Sequence, residues 1–281
     1  MTTHNGYTHP QVLVETHWVA DHLHDPKIRL VEVDVDTTAY ASGHIPGAMG
    51  WNWKKDTQQS LVRDIPNQAD WEALLSHSGI TPDTTLIFYG DTNNWFAAFA
   101  FWLAKIYGHA DVRLMNGGRK KWVDEDRPFT STAPSPTLTQ YQAQAPDGSL
   151  RATRDLVSQY IARNNHTLVD VRSPQEYSGE LLAPENLPQE GAQRGGHIPG
   201  AANIPWGLAV REDGTFKSGE ELQALYGGKG ITPDKEVIAY CRIGERSSHT
   251  WFRLEISSGL QPRPQLRWLV DGVGQPHRRA D

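Results

Sequence analysis

The sequence predicts two α/β domains in tandem, each a parallel sheet covered by helices on both faces. The first observation behind this is an internal repeat. His44-Ile-Pro-Gly-Ala48 recurs as His197-Ile-Pro-Gly-Ala201, and each copy continues to a tryptophan, Trp53 or Trp206. Gly79-Ile-Thr-Pro-Asp83, leading into Leu86-Ile-Phe-Tyr89, recurs as Gly230-Ile-Thr-Pro-Asp234 leading into Val237-Ile-Ala-Tyr240. Leu30-Val-Glu-Val33 recurs as Leu168-Val-Asp-Val171. The second observation is the alternation of short apolar, β-leaning runs with helical stretches, the pattern of parallel strands joined by crossover helices. The third is size: 281 residues, 38% hydrophobic and 21% charged, are enough for two ordinary domains, each with its own core.

In chain order, Leu30 to Val35 reads as a buried strand, followed by a helix near Trp71 to Ser78. A strand at Leu86 to Tyr89 and a long helix from about Trp95 to Tyr107 come next. The first domain is assigned to residues 1–127, a linker to 128–150 and the second domain to 151–281. Arg127 to Ser149 holds four prolines among Ser, Thr, Gln and Gly, the composition of an extended segment lying on a surface. The first two repeats are 153 and 151 residues apart but the third only 138. The second copy therefore carries about fifteen extra residues between Val171 and His197, and the segment Glu180 to Glu190 reads as a surface loop.

Composition excludes several function classes. A net charge of −6 argues against a nucleic-acid footprint. No apolar run approaches the length of a membrane-spanning helix, and the opening residues lack a basic-then-apolar export signal. One cysteine permits no internal disulfide and suits a reducing compartment, so a cytoplasmic location is expected.

That cysteine is the centre of the second domain. Cys241-Arg-Ile-Gly-Glu-Arg246-Ser-Ser follows the strand-like Glu236 to Tyr240, where ligand sites of parallel sheets lie. Ser247 and Ser248 are N-cap candidates for a helix running into Thr250-Trp-Phe252. A lone cysteine is commonly a small buried hydrophobe. Here its neighbours are two arginines and a glycine at a strand-to-helix turn, which aims backbone N–H groups and the helix dipole at one point. A thiol in such a cradle is expected to ionise easily and to meet anions there. The backbone of Ile243, Gly244, Glu245 and Ser247 is expected to line the cradle. In register, Gly90 stands opposite Cys241 and Asp91 opposite Arg242, so the first domain is expected to be a catalytically empty duplicate that walls the cleft of the second.

These residues carry a family resemblance. The paired His-Ile-Pro-Gly-Ala segments, Asp170-Val-Arg172-Ser-Pro174 and Cys241-Arg-Ile-Gly-Glu-Arg246-Ser resemble the two-domain rhodaneses, the thiosulfate sulfurtransferases, of the actinobacterial type. The resemblance spans about residue 12 to Phe252. It implies an inactive first and an active second rhodanese domain, a persulfide on Cys241, and contacts to substrate oxyanions from Arg246 and Arg242. The implied partners are small molecules: thiosulfate as sulfur donor, with cyanide or a thiol as acceptor. The chemistry is ping-pong covalent transfer and calls for no metal or organic cofactor. Asp170 and Arg172 are expected to form a supporting salt bridge near the loop, and Glu245 to be solvated or paired with a nearby arginine rather than to act as a general acid. His44 and His197 are expected to fix turns in the core, and His249 to cap or pack the helix. The ten tryptophans are assigned to packing. Mercaptopyruvate sulfurtransferases typically carry a small Gly after the nucleophile, where Arg242 stands here. Related phosphatases place their arginine six positions after the cysteine, whereas Arg246 is at five. Mercaptopyruvate transfer and a non-catalytic or sulfur-carrier homologue are the alternatives.

The tail departs from the repeat. The first copy has Val112-Arg-Leu-Met-Asn-Gly-Gly-Arg-Lys-Lys-Trp122 after its long helix, and the second has Arg263-Pro-Gln-Leu-Arg-Trp-Leu-Val-Asp-Gly-Val273. The helix is expected to decay after Phe252. Shifted by one nucleotide, codons for Arg263 to Asp281 can spell Val-Arg-Asn-Tyr-Asp-Gly-Ser-Trp-Thr-Glu-Trp-Gly-Ser-Leu-Ile-Gly-Ala-Pro, the closing strand, turn and helix of the family. A frameshift after Phe252 is therefore expected. As written, the tail would leave the second domain without its last strand and helix.

Overall fold

The computed structural model describes residues 6–59, 64–161, 166–184, 194–232, 234–257 and 267–269. The first domain holds β1 (Leu13–Val14), α1 (Thr16–Asp21), β2 (Ile28–Asp34), α2 (Thr38–Ser42), β3 (Met49–Asn52), α3 (Trp53–Asp56), α4 (Gln68–His77), β4 (Thr85–Tyr89), α5 (Asp91–Ile106), β5 (Val112–Met115) and α6 (Gly118–Asp124). The second holds α7 (Arg154–Ile161), β6 (His166–Asp170), α8 (Pro174–Ser178), β7 (Ala202–Asn203), α9 (Gly219–Gly227), β8 (Glu236–Tyr240), α10 (Glu245–Ser257) and β9 (Arg267–Leu269).

Both sheets are wholly parallel, ordered β1-β5-β4-β2-β3 and β7-β6-β8-β9. Aligned on the repeat, β3-β2-β4-β5 and β7-β6-β8-β9 follow one order. Successive strand residues face opposite sides of a sheet, and the cores divide accordingly. Val31, Val33, Leu86 and Phe88 join one apolar cluster with α4 and α5, while Leu30, Ile87 and Tyr89 join another with Val19 of α1 and Trp122 of α6. In the second domain Val169, Val237 and Ala239 pack with Tyr226 of α9 and Leu254 of α10, and Leu168, Ile238 and Tyr240 with Val157 of α7. Helices cover both faces of each sheet. Among the described residues no helix is long and apolar enough to cross a membrane.

The repeated motifs are anchors of the turn between α2 and β3 and of its counterpart before β7. The Ile45 N–H donates to the Tyr89 hydroxyl at 3.2 Å, and the Ile198 N–H to the Tyr240 hydroxyl at 3.0 Å. His44 stacks on Tyr40 and His197 on Tyr177, with ring centroids 3.9 and 3.6 Å apart. His44 is buried, whereas His197 fixes its turn from the surface, so the core placement expected of it is corrected. Residues 127–147 form no regular element beyond a bridge of Thr130 to His44 and lie along the first domain, with Tyr141 buried against His109.

The domains share a core. α5 lies against α10, and Phe101 meets Phe252 edge to face at 4.8 Å. These two residues are equivalent in the repeat, so the helices cross near a pseudo-two-fold axis. Asn116 accepts the Phe216 N–H at 3.0 Å across the same boundary.

Two expectations about the tail change. α10 continues to Ser257, with Leu254 buried, because its apolar face extends past Phe252. A last strand is present as well: β9 pairs with β8 in parallel register, Ile238 opposite Arg267 and Tyr240 opposite Leu269. The written tail supplies enough extended backbone at Arg-Trp-Leu to satisfy the sheet edge. The rest of the frameshift segment, and residues 185–193 of the second-copy insertion, lie outside the described residues.

Candidate active site

β8 delivers its last residue, Tyr240, to the carboxyl edge of the sheet, and Cys241 begins the turn. Only Arg242, Ile243 and Gly244 separate the thiol from α10. Gly244 has φ +101°, a backbone region that a side chain would oppose, and this twist turns its N–H onto the sulfur. The Gly244 N–H donates to Cys241 Sγ at 3.1 Å. Ser248 N donates to Gly244 O at 2.9 Å as the first bond of the helix. The helix therefore starts at Glu245, and the N-cap role expected of Ser247 and Ser248 is corrected: both are buried in the first turn. Their hydroxyls bond back to loop carbonyls, Ser247 to Gly244 at 3.0 Å and Ser248 to Glu245 at 2.7 Å, and Ser247 Oγ is also 3.7 Å from the sulfur.

Arg246 is buried and bidentate with Glu176, at 2.7 and 3.0 Å. Glu176 is equally buried and doubles as the third residue of the capping box that opens α8 on Ser173. Burial works against the Arg246 charge, but the bonds to Glu176, with Cys241 and Glu245 close by, hold its pKa above the ordinary value. Burial likewise pushes the Glu176 carboxyl up, and Arg246 outweighs it, leaving that pKa below the ordinary value. The expectation for Arg246 thus narrows, because each terminal nitrogen already gives one N–H to a protein carboxylate. Its Nε has no hydrogen-bond partner among the described residues and stands 3.8 Å from Glu245 Oε1. The guanidinium carbon is 5.8 Å from the ring of Trp95, which comes from the first domain.

Of the two expectations for Glu245, pairing with a nearby arginine holds, with Oε1 3.8 Å from Arg246 Nε, and solvation does not. Glu245 is buried, with Oε2 accepting from Cys241 Sγ at 3.4 Å. Burial, and after it the Glu245 charge, push the Cys241 thiol up; Arg246 and the bonds from Ser247 pull the other way without prevailing. The thiol is therefore not the readily ionised group that its neighbours in sequence suggested. The arginine meant to stabilise the thiolate is neutralised by Glu176, and a carboxylate faces the sulfur.

The remaining residues fall as follows. Arg172 and Asp170 form a buried salt bridge at 2.6 Å, and Arg172 also donates to Gly196 O at 2.7 Å. Arg242 and Ile243 are half-buried beside the thiol, Ile243 against the core shared by both domains. His249 packs between Phe216 and Trp206, fully buried, and burial lowers its pKa to about 3, so it stays neutral. Sequence reasoning missed Glu176 and Trp95. The Ser173-Pro-Gln-Glu176 pattern announced a capping box, but nothing in the chain order announced its partner 70 residues on. A cavity of about 260 Å³ lies elsewhere, lined by first-domain residues such as Val19, His22, Arg29, Pro46 and Ile87. It contains none of the loop residues.

A sequence profile of the rhodanese-like domain matches residues 15–125 and 153–273. The chain belongs to the rhodanese-like family. A Thermus thermophilus protein named "Sulfur carrier protein TtuD" is 54% identical over 257 residues, covering 90% of each chain. A Saccharopolyspora erythraea protein, provisionally named a thiosulfate sulfurtransferase, is 55% identical over 244 residues, covering 87% of this chain and 86% of its own. Among solved structures, the 3-mercaptopyruvate sulfotransferase SseA of Escherichia coli superposes with a TM-score of 0.78 at 24% identity, over 94% of this chain and all of that one. That likeness shows the fold. Two rhodanese domains in tandem, of the type found in actinobacteria, account for the whole repeat.

Proposed function

We propose that the chain transfers the sulfane sulfur of thiosulfate to cyanide or a thiol through a persulfide on Cys241. The observation that carries the reading is the Gly244 N–H on Cys241 Sγ at the head of α10, with Arg242 and Arg246 flanking it. The thiolate attacks the outer sulfur, the S–S bond breaks, and sulfite leaves with its electron pair. The loop N–H groups then stabilise the terminal sulfur anion of Cys–S–S⁻. The acceptor attacks that sulfur, and Cys241 leaves as thiolate.

Arg242 supports a dianionic donor over mercaptopyruvate, and the Arg246 N–H groups not given to Glu176 are available to an oxyanion. The five-residue spacing to Arg246 makes a smaller ring than phosphatases use. The single thiol suits the reducing cytoplasm. A sulfur-carrier role is the second reading, favoured by the name of the Thermus relative. It uses the same persulfide with a protein as acceptor.

Steady-state kinetics with both substrates varied test the proposal. Parallel double-reciprocal lines with thiosulfate and cyanide, and a kcat/KM for thiosulfate above that for mercaptopyruvate, are expected. A higher kcat/KM for mercaptopyruvate would replace the donor. Loading from thiosulfate with discharge only to a protein acceptor would favour the carrier.

A further inference from the structure

We propose that Glu245 is a catalytic residue that takes the proton of Cys241 as sulfur is loaded and returns it as the persulfide is discharged. This rests on the transfer reading above. The carboxylate is the acceptor of the thiol's own hydrogen bond, at 3.4 Å, and both side chains are buried, so the proton has a partner at hand.

The first domain supplies an independent comparison. The residue equivalent to Glu245 is Asn94, whose Oδ1 accepts the Gly90 N–H at 3.0 Å and whose Nδ2 donates to Met115 O at 2.6 Å. Where the loop has no thiol, a neutral amide fills the position and serves the backbone. The carboxylate appears where there is a proton to receive.

Among the described residues, the charges around the pair come from several elements. Arg246 lies 3.8 Å from Glu245 and is bound to Glu176 of α8. Arg242 adjoins the thiol, and Asp170 and Arg172 at the end of β6 neutralise each other. His249 on the next turn of α10 is neutral, and α5 of the first domain brings Trp95, which has no charge. Cys241 and Glu245 thus behave as one coupled acid pair.

The atoms balance. In loading, the S–H bond breaks and an O–H bond forms on Glu245 while sulfur attacks thiosulfate and sulfite departs. Glu245 then donates to the persulfide anion. In discharge, the acceptor takes the outer sulfur and the Glu245 proton returns to the departing thiolate. The form of the pair that loads through Glu245 holds one proton.

The test uses full-length protein, wild type and Glu245→Gln, with Glu245→Asp as a second variant. Alkylation of Cys241 by uncharged iodoacetamide across pH reads the thiol directly, and single-turnover persulfide formation reads loading. Removing the carboxylate should make alkylation near neutral pH faster, because the charge that opposes the thiolate is gone. Wild-type loading should begin to rise with the ionisation of Glu245, ahead of the thiol's own, whereas Glu245→Gln should rise only with ionisation of the thiol. Alkylation unchanged by the substitution, or loading that rises only with the thiol in both proteins, would overturn the proposal. If Glu245→Gln does not fold, the Asp variant decides: its shorter reach should weaken the coupling and shift alkylation in the same direction, and an unmoved curve would overturn the idea. A shifted alkylation curve without loading in any protein would uphold the shared proton and instead remove thiosulfate as donor.

Discussion

The loops after β4 and β8 are the same turn built twice, and their differences locate the chemistry. The strand registers pair Glu32 with Tyr89 and Asp170 with Tyr240, which makes the alignment unambiguous. Gly90 replaces Cys241, Asp91 replaces Arg242, Asn94 replaces Glu245 and Trp95 replaces Arg246. Beneath them Asp34 replaces Arg172. Relative to the second loop, the first lacks the thiol, three cations and one carboxylate, and has two carboxylates of its own. Its backbone differs too: Thr92, Asn93 and Asn94 are all left-handed, with φ of 48°, 57° and 63°, whereas the second loop turns at Gly244. The scaffold is indifferent to whether the turn can bind an anion, and the charge pattern decides it. The first domain still contributes, since Trp95, at the position of Arg246, lies over Arg246 itself.

Substitutions can break this contrast, and the largest effect belongs to the nucleophile. Cys241→Ser should lower turnover by about a thousandfold or more, with the melting temperature little changed, as assays and thermal scans would show. Glu176→Ala comes next. It leaves Arg246 buried without its carboxylate, and breaking such a pair costs about 3–5 kcal/mol. A fall of that size in denaturant-derived stability, accompanied by lost activity, is the expected outcome. A near-neutral result would show that the ion pair does not hold the loop.

Much of the architecture could be read from the chain. Tyr89 and Tyr240, and the two His-Ile-Pro-Gly-Ala turns that bond to them, repeat because each copy solves the same local problem. Cys241 was visible as an odd thiol among arginines. What could not be read were relations set by packing across the fold. Glu176 reaches Arg246 because α8 lies beside α10, and Trp95 reaches it because two domains meet. The burial that raises the thiol pKa and keeps Glu245 out of water is also a property of the assembled core. Local sequence promised a solvated, activated loop. The β9 strand shows the converse, where the sheet edge recruits a segment whose sequence argued against it.

Smaller effects should fall on the first loop. In Gly90→Ala the new Cβ would meet Val33 O at 2.5 Å and Asp34 Oδ1 at 3.0 Å. Overpacking of this kind costs about 1–3 kcal/mol, so the melting temperature should drop while sulfur loading per folded molecule stays constant. The effect of Asp34→Asn depends on pH. Burial, and then the Asp91 charge, push the Asp34 carboxyl up to about 8. Because the folded pKa exceeds the unfolded one, the contribution of Asp34 is intact below the usual carboxylate range and is lost as pH rises toward 8. The neutral amide lacks this loss, so the variant should gain stability at pH 8 and almost nothing at pH 4, as denaturant titrations at the two values would show. Equal gains at both values would assign the effect to packing.

Intact mass of the purified chain before and after thiosulfate, with peptide mapping, tests the division of labour most directly. The account predicts a gain of one sulfur atom on the peptide containing Cys241, removed by cyanide and absent in Cys241→Ser. The unmodified mass also separates the written tail from its frame-shifted alternative. A correctly folded chain that gains no sulfur, or retains it elsewhere in Cys241→Ser, would contradict the assignment of the chemistry to the second loop.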